Sequence, residues 1–136
     1  MHYRMYSRTL WWVWNTVLPF LWDRIWWRWI MDIFCKDSKM LKIALSLAEQ
    51  LEIADEHNVA VYVKRLPPSF TQKGIIEYPR QFKDETHIDI YIKYDSERYI
   101  TLAHEMVHLR QVLTDGVIDE NEAYTLEKTL KVLDNG

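Results

Sequence analysis

Residues Thr86–Leu113 read THIDIYIKYDSERYITLAHEMVHLRQVL, and the fold class turns on how this stretch is divided. From Thr86 to Tyr94 the residues alternate, with Ile88, Ile90 and Ile92 on one side and His87, Asp89, Tyr91 and Lys93 on the other. Successive side chains of a strand point to opposite faces, so this pattern predicts a half-buried strand with a polar face. Asp95 or Ser96 then caps a helix that runs to about Leu113, with Glu97 and Arg98 in its first turn.

Upstream, apolar residues recur at Leu41, Ala44, Leu45, Ala48 and Leu51, which predicts an amphipathic helix over Ser38–His57, widened by Ile43 and Leu47 and stopped near Asn58. Val59–Lys64 (VAVYVK) is β-branched and aromatic, hence a strand, ended by Pro67-Pro68. Lys73-Gly74 introduces a second short strand at Ile75–Tyr78. Downstream, Asp115-Gly116 makes a turn, and a last helix is expected from about Asp119 to Leu133 with Ala123, Leu126, Leu130 and Leu133 on one face. The order of helix, small sheet, helix, turn and helix is that of an α+β domain.

The chain has 136 residues and a net charge of −3. That length suits one domain, and the charge argues against strong nucleic-acid binding. A single cysteine, Cys35, excludes an internal disulfide framework and a cysteine-rich metal cluster. The seven tryptophans all lie between Trp11 and Trp29. Residues 1–36 are net basic and the remainder net acidic, so the expectation is a tryptophan-rich basic module, 1–36, joined to a body, 37–136, of ordinary domain size.

The chemistry lies in His104-Glu105-Met106-Val107-His108, an H-E-x-x-H pattern within the predicted helix. Residues four apart stack on one helix face, so His104 and His108 can present their imidazoles to one metal ion. Glu105 is rotated by about 100° from His104; it is badly placed as a ligand and well placed to take a proton from a water held at the metal. Zinc held by three protein ligands keeps a position open for that water.

A third ligand is expected from Asp119-Glu120-Asn121-Glu122 at the start of the last helix. Glu122 flanks the Ala123 face and can turn inward, as ligand or as the N3 partner of an Asp119 cap. Asp119 is the next candidate, and Glu120 is expected further round towards solvent.

Thr101–Leu109 resembles the extended signature of the zincin metallopeptidases, and Asn121-Glu122-Ala123 is similar to the thermolysin-like element that supplies a glutamate as third zinc ligand. The resemblance covers about Ile88–Leu133. It implies a minimal zincin-like domain, His104, His108 and Glu122 as zinc ligands, Glu105 as catalytic base, and a peptide or protein substrate. Arg110 departs from the usual hydrophobic closing position. Leu126 stands where thermolysin-like enzymes carry an aspartate, leaving Glu127 as the alternative contact to His104. The downstream oxyanion-stabilising histidine of those enzymes has no counterpart; Tyr124, Tyr94, His87 and Arg110 are the substitutes available. If Thr86–Tyr94 is a sheet edge, substrate can pair with it.

On a helix over Phe20–Phe34, Arg24, Arg28 and Asp32 form a narrow polar stripe on a surface that is otherwise apolar except for Asp23, preceded by Pro19 and a segment Thr9–Leu18. The longest uninterrupted apolar run, Val17–Trp22, has six residues, against about 20 needed to span a bilayer. Three roles fit: core packed on the body, an interfacial membrane helix, or a surface for a protein partner. No secretory signal pattern is visible, so a cytoplasmic or assembly-associated location is expected, with peripheral membrane association as an option. The rival to the peptidase is a non-catalytic structural protein on the same scaffold, for example in a phage particle, docking through its N-terminus.

Overall fold

A computed structural model describes residues 31–56, 58–77 and 79–132. The fold is α+β. Its elements are β1 (Asp32–Cys35), α1 (Ser38–Gln50), β2 (Val59–Arg65), β3 (Gly74–Ile76), β4 (Arg80–Phe82), β5 (Glu85–Ile92), α2 (Arg98–Thr114) and α3 (Glu120–Glu127). The sheet is mixed: β1, β2 and β5 run parallel in that order, and β3 and β4 both pair antiparallel with β5 on its other side.

The alternation of β5 does what its sequence predicts. Ile88, Ile90 and Ile92 are fully buried and meet Ile33, Val61 and Val63 beneath α1 and α2. Fully burying each such side chain contributes about 1.5–3 kcal/mol, so this face anchors the sheet to the helices. β5 is not an edge, however. β2 holds one side, and β3 and β4 share the other, so a substrate strand has no access to β5.

Asp32–Cys35, expected at the end of a helix, is a strand. Ile33 goes into the core while Asp32 and Phe34 point to the opposite sheet face, a period of two. The domain therefore takes in chain on the N-terminal side of residue 36, where the seam was expected. Residues 1–30, with the tryptophans and most of the expected Phe20–Phe34 helix, lie outside the described residues. β4, also unexpected from the sequence, is wholly exposed and exists because the turn at Lys83, with φ of 59°, folds it back on β5.

α1 is capped by Asp37, whose carboxylate accepts from the N–H groups of Lys39 and Met40 and from the Tyr94 hydroxyl at 3.1 Å. It ends at Gln50, shorter than expected, where Glu52 turns to φ of 61°. Its buried stripe centres on Met40, Ile43, Ala44, Leu47 and Ala48. α2 is buried almost all round, between the sheet, α1 and α3. α3 is short; the chain turns after Glu127, and the side-chain amide of Gln50 then holds the Lys131 backbone, accepting from its N–H at 2.8 Å and donating to its carbonyl at 2.9 Å. Among the described residues no helix is long and apolar enough to cross a membrane.

Candidate metal centre

From its middle onward α2 carries three buried polar side chains, Glu105, His108 and Gln111. Buried polar groups need partners, and those of His108 and Gln111 come from the α2–α3 turn and α3. Gln111 does most of the joining. Its amide nitrogen donates to the Asp119 carbonyl at 2.9 Å and to the Glu122 carboxylate at 2.7 Å. Its amide oxygen accepts from the Asp119 N–H at 3.0 Å. These contacts fix the orientation of the amide, so the atom 2.9 Å from His108 Nδ1 is an acceptor. His108 must therefore carry its proton on Nδ1 and present the Nε2 lone pair outward.

His104 has a carboxylate at each ring nitrogen, Glu127 at 2.9 Å from Nδ1 and Glu120 at 3.0 Å from Nε2; with its proton on Nδ1, donated to Glu127, Nε2 presents a lone pair as a ligand. Both Nε2 atoms converge on one oxygen, Glu120 Oε1, at 3.0 Å from His104 and 3.2 Å from His108. The three candidate ligand atoms lie within 4.8 Å of one another. With both protons held at Nδ1, two lone pairs and a carboxylate oxygen face one another. Such a cluster is satisfied by protonating the imidazoles or by a cation among them. Two imidazoles and a carboxylate in this geometry match the donor set of a three-ligand zinc site.

Burial works against the charged form of His104, but its hydrogen bonds to Glu127 and Glu120 outweigh it and raise its pKa above the ordinary imidazole value. Glu105 is buried, which raises its pKa above the usual carboxylate range against the opposing pull of His108 and His104. Both shifts describe the cluster without a cation, whose charge would lower them.

The cluster opens into a cavity of about 470 Å³ lined by residues of three walls: Lys73 and Gly74 on the β3 side, Thr101, His104 and Glu105 on α2, and Glu120, Tyr124 and Glu127 on α3. Gly74 sets the distance between the β3 and α2 walls. A Cβ there would meet Thr101 Cγ2 at 2.7 Å and Glu105 Oε2 at 2.9 Å, so only glycine lets β3 approach the motif helix this closely. At the mouth, Lys73 pairs with Asp95 at 3.2 Å and with Glu97.

Of the residues expected from the sequence, the structure brings His104, Glu105 and His108 together and adds Glu120. It does not bring Glu122 to the imidazoles; that side chain accepts from Gln111 on the far side of the turn. Asp119 is the N-cap of α3, accepting from the Glu122 N–H at 3.2 Å. Among the oxyanion candidates, Tyr124 stands at the site, its ring 4.6 Å from that of His104. Tyr94 is bonded to Asp37, His87 lies on the opposite face of the sheet beside Tyr62 and Phe82, and Arg110 does not line the cavity. Gln111 and Gly74 carried no signal on their own: a glutamine in a helix and a glycine before a strand are common. Compared with known proteins, the chain is matched by no family model, no curated protein and no solved structure.

Proposed function

We propose that the protein is a zinc-dependent peptidase of zincin type, with His104 Nε2, His108 Nε2 and a Glu120 carboxylate oxygen as the metal ligands. The observation that carries this reading is the convergence of His104 Nε2 and His108 Nε2 on one Glu120 oxygen, with Glu127 and Gln111 as hydrogen-bond acceptors at the two Nδ1 atoms. Zinc, when bound, supplies Lewis acidity that makes a water nucleophilic near neutral pH. The rest is done by the chain. Glu105 lies in the cavity wall next to both histidines without joining their cluster, and its buried carboxylate takes the proton from the attacking water and returns it to the leaving amine. Tyr124 is the side chain available to hold the carbonyl oxygen as charge develops there.

The substrate segment is best placed along β3. Lys73 and Glu77 use their backbone groups to bond Lys93 and Asp89 of the β5 strand and its extension. In an antiparallel pair these groups alternate, so Gly74 and Ile76 present theirs to the outer edge. An extended peptide added there runs past the cavity. Two measurements test the proposal on the full chain: metal content, with His104→Ala as control, and digestion of a mixed peptide library. One equivalent of zinc in the wild type, lost in His104→Ala, together with hydrolysis abolished in Glu105→Gln at retained zinc, is the expected result. Full peptidase activity in Glu105→Gln sinks the mechanism.

A further inference from the structure

One stripe of α2 faces the cavity over the first half of the helix. Glu97, Ile100, Thr101, His104 and Glu105 all line the space, and residues three and four apart share a helix face. At about 1.5 Å of rise per residue, Glu97 lies about 10 Å along the helix from His104. The stripe therefore runs from a carboxylate at the mouth, past a branched aliphatic side chain, to the metal position. Ile100 is 55% exposed, so its apolar surface is open to whatever enters.

Glu97 is not spent on the helix. It is the N-cap residue of α2, yet its side chain makes no cap hydrogen bond. Its carboxylate turns to the mouth, where Lys73 is its one partner among the described residues. Lys73 has a second carboxylate, Asp95, at 3.2 Å. The side chains of Lys73 and Glu97 are both more than half exposed, and a pair so open to water contributes little to stability. A carboxylate also has lone pairs for more than one donor. Glu97 can thus take a second cation while Lys73 stays with Asp95.

We propose that this site takes peptides with lysine or arginine next to the scissile bond, and that Glu97 is the specificity-determining residue. The inference rests on the peptidase reading. Lysine and arginine have an apolar stem and a cationic head, the order in which Ile100 and Glu97 follow one another away from the metal position. The reach fits. With the scissile carbonyl at the metal position, the neighbouring residue is about 3.8 Å away, and a lysine stem with its ammonium adds about 6 Å. The charge fits as well. Four carboxylates, Glu97, Glu105, Glu120 and Glu127, line the cavity against Lys73. A divalent ion at the imidazoles offsets Glu120 and Glu105, and the mouth stays negative. An acidic side chain entering there is repelled, and an apolar one covers Glu97 without offering it a donor.

The test uses the full-length protein loaded with zinc, as wild type, Glu97→Gln and Glu97→Lys, with folding checked by circular dichroism and zinc content measured for each. A mixed peptide library is digested and the cleavage sites are read by mass spectrometry. Matched end-blocked peptides with lysine or norleucine beside the cleaved bond then give kcat/KM. The wild type is expected to favour lysine by about 5- to 10-fold, the range of a partly exposed charge pair that substrate covers, and by less as salt is added. Glu97→Gln is expected to lose the preference, and Glu97→Lys to turn it towards aspartate and glutamate. A second readout needs no turnover: metal-free wild type should bind the lysine peptide more tightly than the norleucine peptide, and Glu97→Gln should bind the two equally. Cleavage by the wild type without enrichment of basic residues overturns the inference and leaves the peptidase reading standing. So does a lysine preference undiminished in Glu97→Gln, or equal binding of the two peptides by the metal-free wild type. No cleavage of any peptide by the zinc-loaded wild type overturns the peptidase reading and this inference with it.

Discussion

Replacing in turn the two glutamates at the start of α3 tests which one completes the proposed metal site. Glu120 Oε1 is 3.0 and 3.2 Å from the two Nε2 atoms, whereas Glu122 meets only the amide of Gln111. Structural zinc sites with four ligands bind with about 10–16 kcal/mol at neutral pH, or roughly 2.5–4 kcal/mol per ligand. Loss of one ligand therefore weakens binding by about 100- to 1000-fold. Glu120→Gln keeps a neutral carbonyl oxygen at the site, so about 100-fold, the lower end, is expected. Glu122→Gln keeps an acceptor for Gln111 and disturbs His108 only through that amide, and less than about 10-fold is expected. The assay is competition with a chromophoric chelator for zinc near neutral pH, with circular dichroism to confirm that both variants fold. Affinity lost in Glu122→Gln and kept in Glu120→Gln would refute the ligand assignment and the tautomer argument behind it.

Gly74→Ala pushes a methyl group against Thr101 and Glu105; it is expected to cost about 1–3 kcal/mol of stability and to lower kcat while zinc stoichiometry stays at one, read by denaturant unfolding and peptide turnover. Gln111→Leu leaves His108 Nδ1 and the Asp119 backbone without their partners, so zinc affinity should fall about 10- to 100-fold and unfolding should be easier by about 1–3 kcal/mol per stranded buried group. The raised pKa of His104 gives the metal-free protein a pH dependence with a definite sign. Its contribution to stability is complete below the unfolded imidazole value of about 6.5 and is lost as pH rises through the raised folded value. Zinc binds best where the imidazoles are neutral, so chelation should lower Tm by more at about pH 8 than at about pH 6; an equal drop at both would count against it.

The parts of the fold that could be read from the sequence are those with one clear period. β5 alternates cleanly, and its isoleucines are all buried. α2 follows directly and carries its motif at helical spacing. β1 was hidden because Arg24, Arg28 and Asp32 recur at helical spacing, so that Asp32–Cys35 reads as the end of a helix. Pairing with β2 decides the matter there, a tertiary effect. β4 has three exposed residues, of which only Phe82 is apolar, too few to show a period. Its pairing also settles the environment of β5: the alternation showed a strand with one polar face but gave no information on which neighbours lie beside it.

The approach of Glu120, rather than Glu122, to the imidazoles follows from the helix period around Ala123. Ala123 is the one fully buried residue of α3. Glu120 precedes it by three residues and Glu127 follows it by four, so the two carboxylates lie on either side of Ala123 along one helical stripe. Tyr124 adjoins the same stripe, four residues after Glu120. All four residues therefore face α2, and the structure puts Glu120 on both imidazoles and Glu127 on the Nδ1 of His104. Weighting Leu126 and Leu130 as the core face rotates the helix away from this stripe and brings Glu122 forward. Leu126 and Leu130 are only half-buried, because the helix ends at Glu127 and the chain turns there. In so short a helix the stripe through Ala123 governs the packing and carries Glu120 to the imidazoles. The short helix, the Asp119 cap and the Gln111 clamp act together, since each fixes the register in which Glu120 meets the histidines.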